Sequence, residues 1–66
     1  MTPRYPDVVV QLSGQDGNAF AILGHCQYAA KQAKLDPNLI AQFREEATQG
    51  DYGHLLATCQ AWFTVQ

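Results

Sequence analysis

The hydrophobic period changes twice along the chain. In DVVVQL, residues 7–12, Val8, Val10 and Leu12 alternate with Asp7, Val9 and Gln11, the two-residue period of a strand. Three successive β-branched valines favour a strand over a helix. Val9 falls on the nominally outer face, which predicts that this face is covered too. From Asn18 the period lengthens: Phe20, Leu23, Cys26 or Gln27, Ala30 and Ala33 recur at three- and four-residue intervals, predicting a first helix capped by Asn18. Gly24 inside it costs ~1 kcal/mol relative to alanine. It lies among Ala21, Cys26, Ala29, Ala30 and Ala33, small residues that leave room for another backbone.

LDPNLIAQFREEATQG, residues 35–50, carries the clearest helix signals. Asp36 caps it, Pro37 takes the first helical position and Gly50 follows its end. Leu39 or Ile40, Phe43 and Ala47 form the predicted buried stripe, with Gln42, Glu45, Glu46 and Gln49 facing water. A third helix follows, capped by Asp51, with an apolar face of Tyr52, Leu55, Leu56, Cys59, Trp62 and Phe63. Thr64 and Val65 are strand-prone, while Pro3 and Pro6 keep residues 1–6 as an extended N-terminal arm. The expected fold class is α+β, one compact domain over residues 1–66. Its order is strand–helix–helix–helix–strand, with the terminal strands paired. Two strands alone make a weak sheet. The edge at Val8–Leu12 is therefore expected to extend across a two-fold axis in a homodimer.

Composition strengthens the expectation of a homo-oligomer. Only 15% of the 66 residues are charged and 47% are hydrophobic, against ~25% charged in typical soluble domains. A domain this small buries too little surface to be robust alone, and such chains recruit disulfides, a metal or a second copy. The net charge is −2, and Arg4, Lys31, Lys34 and Arg44 are the only basic residues. Four scattered cations do not make the basic face that nucleic acid requires. No apolar run approaches the ~20 residues of a membrane span, and MTPRYPD is polar and proline-interrupted, unlike a leader. The expectation is a cytoplasmic protein with no membrane or nucleic-acid partner, whose two cysteines are free thiols.

The stretch GQDGNAF, residues 14–20, is the first candidate site. As a strand-to-helix turn it places Gly14 and Gly17 at positive φ, with Asp16 tolerating the turn and Asn18 capping. A hairpin turn at Asp16–Gly17 with NAFAIL returning as a strand is an alternative. Functionally, the free N–H groups of a helix start bind anions. A phosphate loop, however, needs a lysine that does not follow here, and Asp16 would repel phosphate. Asp51, Tyr52 and His54 form the second candidate. They are either a cap, an interface aromatic and a surface histidine, or a ligand wall in which Tyr52 stacks on a ring while Asp51 and His54 hydrogen-bond to it. The two helix starts could converge across a dimer interface. The candidate ligand-binding residues are thus Gly14, Asp16, Gly17, Asn18, Asp51, Tyr52 and His54.

Metal and catalytic chemistry find little support. His25 and Cys26 are adjacent and diverge on a helix, and His54 and Cys59 lack a paired C-x-x-C elsewhere. Both cysteines lie on apolar stripes as core thiols, unsuited to a Cys–His nucleophile pair. Glu45 and Glu46 are neighbours on a solvated face, not a facing acid–base pair. No catalytic residue, metal or cofactor is expected, and the chain is read as non-enzymatic. Trp62 and Phe63 are core residues or aromatic anchors of an interface.

At GQDGNAFAILG and EEATQGDYGHLL…W the chain resembles a group of small uncharacterised bacterial and phage proteins. Their shared pattern runs V-x-L-x-G-x-D-G-N-A-F-x-I-x-G, then E-A-T-x-G-D-Y-x-H-L-L, then a late tryptophan. Val10, Leu12, Gly14, Asp16 to Phe20, Ile22 and Gly24 carry the first part. Glu46 to Thr48, Gly50 to Tyr52, His54 to Leu56 and Trp62 carry the rest. The resemblance spans nearly the whole chain and brings no established activity. It implies a standalone module of the kind carried on mobile genomes, where small binders and inhibitors are common. The functional expectation is a homo-oligomeric binding module holding a small, nucleotide-like ligand between subunits, as a sensor or as a sink for a host signal. The alternative is a protein-interaction or inhibitor module acting on a host protein through an apolar or acidic face, such as Glu45 and Glu46.

Overall fold

A computed structural model describes residues 2–14 and 16–66. Met1 of the N-terminal arm and Gln15 of the Gly14–Phe20 stretch lie outside the described residues. The chain runs through strand β1 (Tyr5–Val10), helices α1 (Ala19–Gln32), α2 (Pro37–Ala47) and α3 (Tyr52–Trp62), and strand β2 (Phe63–Val65). The terminal strands pair, and they do so in parallel. The result is the α+β arrangement that the sequence predicts.

All three predicted N-caps form. Asn18 accepts from the backbone N–H groups of Phe20 and Ala21, Asp36 from Asn38 and Asp51 from His54. Each satisfies donors that a helix start leaves unpaired. Helix α1 ends less predictably. Lys34 takes φ 61°, its N–H reaches the Lys31 carbonyl, and Leu35 N–H reaches Ala30. This is the left-handed C-terminal motif usually given to glycine. A lysine there costs about 1–2 kcal/mol locally, offset by the paired carbonyls and by Leu35 packing against the core.

Strand β1 starts earlier than the alternating pattern suggests, because Tyr5 and Pro6 of the extended arm already belong to it. Proline offers no N–H to the ladder, and the register is irregular between Tyr5 and Val9. The Thr64 hydroxyl donates to the Pro6 carbonyl at 2.8 Å and bridges that irregularity. Val8 and Val10 face inward, while Val9 is 48% exposed, so nothing within the single chain covers the outer face of β1.

The core joins β1, the inner faces of all three helices, and Phe63. Its centre is aromatic: Phe43 lies edge-on to Trp62 at 5.6 Å and tilted against Phe63 at 4.9 Å, and Tyr5 covers Trp62 at 5.6 Å. Such pairs add to the burial energy of the rings. Trp62 brings a polar N–H inside, and Glu46 accepts it at 2.8 Å. Glu46 is therefore half-buried and structural, not one of the water-facing residues of α2. The Arg4 guanidinium lies 4.7 Å from the centre of the Trp62 ring, within reach of cation–π attraction. No helix among the described residues is long and apolar enough to cross a membrane.

Candidate functional site

The two predicted helix starts meet within a single chain. The Tyr52 hydroxyl, in the first turn of α3, donates to the carbonyl of Gly17, just ahead of α1. Tyr52 therefore bridges the two segments that sequence reasoning brought together only across a subunit boundary. Beside this bridge is a cavity of about 270 Å³, lined from α1 by Ala19, Phe20 and Leu23 and from α3 by Asp51, Tyr52 and Leu55. Ala47, Thr48 and Gly50 close the third side. Leu23, Ala47 and Leu55 are buried and make an apolar floor. At the mouth, Phe20 is 86% and Tyr52 45% exposed.

The predicted site residues divide between roles. Asp51 and Tyr52 line the cavity. Asn18 caps α1 and, with Gly17, sits at its edge through the Tyr52 bridge. Asp16 shapes the approach: its carboxylate accepts from Asn18 N–H at 3.0 Å, a local turn that an aspartate makes readily. Gly14 has φ 77° and serves the turn, whereas Gly17 does not take the positive φ expected of it. His54 is turned elsewhere. Its Nε2 is 2.8 Å from the Glu46 carbonyl oxygen, so it ties α3 to α2 and is absent from the cavity lining. Among the described residues no group of three or more His, Cys, Asp or Glu side chains could hold a metal ion.

Phe20 departs from its expected place: its three-residue spacing to Leu23 predicts that it lies on the buried stripe of α1. The buried set is instead Ile22, Leu23, Cys26 and Ala30. At about 100° per residue, that stripe is centred roughly 100° away from Phe20. Including Ile22 in the stripe would have turned Phe20 outward. Ala33, assigned to the same stripe, is likewise exposed. Tyr52, placed on the apolar face of α3, lies at its open edge.

Gly50 has a steric role in this wall. A Cβ built there would lie 2.8 Å from both Cβ and Cγ of His54, and rotation of the His54 side chain moves Cγ but leaves the clash with Cβ in place. Gly50 follows the end of α2, as the sequence suggests, but Thr48 is the capping residue and the φ of Gly50 lies outside the left-handed region. Gly50→Ala is expected to destabilise the fold by about 1–2 kcal/mol, as overpacking does, with the loss read from the midpoint of urea denaturation. An unchanged midpoint would mean that His54 is free to move.

One carboxylate oxygen each of Asp16 and Asp51 accepts a backbone N–H, and among the described residues the cavity lining is apolar apart from Thr48, Asp51 and the Tyr52 hydroxyl. Comparison with protein-family models, with curated proteins and with solved structures found no match.

Proposed function

We propose that the protein is a small non-enzymatic binding module whose ligand presents a flat, uncharged ring to the groove between the starts of α1 and α3. The observation that carries this is the pairing of an apolar floor with an almost fully exposed phenylalanine at the mouth. A concavity with an apolar floor and aromatic side chains at its mouth is suited to hold a ring. The volume narrows the ligand. About 270 Å³ falls just under the ~300–1,000 Å³ of sites that enclose drug-sized molecules, which suits one ring system with little attached. For a nucleotide-like ligand, the base would enter and the phosphates would remain outside. Among the described residues no cation lines the groove to meet them, and Asp16 and Asp51 disfavour negative charge nearby.

Titrating isotope-labelled protein with adenosine, guanosine and indole, followed by NMR, tests this. Shifts that saturate and cluster at Phe20, Leu23, Tyr52 and Leu55 are the expected result. Shifts centred elsewhere, or none with any of the three, would remove the ring-binding proposal. A second reading draws on Phe20 itself, which projects like the aromatic anchors that dominate protein interfaces. In that case the groove receives a side chain of a host protein, and the free rings bind only weakly.

A further inference from the structure

Cys26 and Cys59 are the only cysteines in the chain, and the fold places them face to face. They come from the inner sides of α1 and α3, both fully buried, with their Sγ atoms 3.3 Å apart. A disulfide needs about 2.05 Å between sulfurs, so closure calls for little more than 1 Å of approach. The Cys26 S–H donates to Cys59. That hydrogen bond holds the Cys59 thiol below its ordinary range and, together with burial, pushes Cys26 up. The pair is thus asymmetric, with the Cys59 sulfur the more readily deprotonated of the two.

We infer that Cys26 and Cys59 are a reversible dithiol–disulfide site, oxidised within one chain by a small peroxide and fastening α1 to α3. With hydrogen peroxide the step balances. The Cys59 sulfur attacks one peroxide oxygen and the O–O bond breaks. The departing hydroxide takes the thiol proton, giving a sulfenic acid and water. The Cys26 sulfur then attacks the sulfenic sulfur, and its proton leaves with the hydroxyl as a second water. Two thiols together lose two electrons and peroxide gains two. Burial sets the rates: both sulfurs are fully buried, so a molecule near the size of water should reach them faster than a bulky disulfide such as oxidised glutathione, which reaches equilibrium with the pair more slowly. The site is independent of what the groove binds.

The wild-type protein tests this without mutation. Reduced protein is treated with hydrogen peroxide under native conditions and followed by intact mass and peptide mapping. The expected product has lost two hydrogens, contains one Cys26–Cys59 bridge per chain, and returns to the dithiol with dithiothreitol. Glutathione redox buffers then compare the folded chain with the chain in urea. Because the fold holds the sulfurs together, the bridge should persist at a thiol-to-disulfide ratio at least about tenfold more reducing in the folded state than in urea. Added oxygen without a bridge, bridges only between chains, an unreacted protein, or a bridge held no more tightly folded than unfolded would each overturn the assignment.

Discussion

Replacing Phe43 by alanine is expected to leave most of the protein unfolded at 25 °C. The side chain is completely buried and touches two other rings, Trp62 and Phe63, that arrive from the far end of the chain. Truncating a core phenylalanine costs about 3–5 kcal/mol. A single core in a chain of this length rarely supplies more than about 3–5 kcal/mol in total. The loss therefore equals the whole reserve. Circular dichroism in increasing urea reads the result directly: the wild type should show one cooperative transition, and Phe43→Ala little folded baseline. A variant unfolding near the wild-type midpoint would show that the aromatic centre is not what holds the helices to the strands.

Phe20→Ala should behave in the opposite way. The ring lies on the surface, so its removal is expected to change stability by no more than about 0.5 kcal/mol. Binding of the ring-bearing probe that saturates in the NMR titration should weaken at least about tenfold, the ~1.4 kcal/mol that a modest aromatic contact provides. The contrast makes the test sharp, because a folded variant with lost binding cannot be explained by damage to the core. Unchanged affinity in Phe20→Ala would place the ligand elsewhere.

What the sequence revealed was set by how local the physics is. Asn18, Asp36 and Asp51 were legible as caps because each bonds to an N–H two or three residues away. Pairing of the terminal strands was legible from the order of elements. Tertiary contacts were not. Glu46 looked solvated on α2 until the indole of Trp62, sixteen residues later, arrived to be accepted. His54 looked available until its ring met the Glu46 carbonyl. The groove has no signature of its own. It arises where Tyr52 reaches Gly17 across thirty-five residues, and the more exposed of its two aromatics, Phe20, keeps the spacing of the buried stripe without lying on it. The left-handed Lys34 could not be anticipated from a residue type that rarely adopts that conformation.

The parallel pairing of β1 with β2 has a mechanical consequence. Tension applied ahead of Tyr5 and beyond Val65 pulls the two strands along their own axes in opposite directions. Because the strands run the same way, the load falls on their hydrogen bonds together, in shear, instead of peeling them apart one after another. Those bonds extend past the strand ends, where Leu12 and Ser13 donate to the Gln66 carbonyl and Gln66 donates to Val10. A protein with a modest equilibrium reserve is thus clamped along the line of a pull applied at both flanks, as when it is stretched between two tethered points. Its resistance to such a pull should exceed what its thermodynamic stability implies.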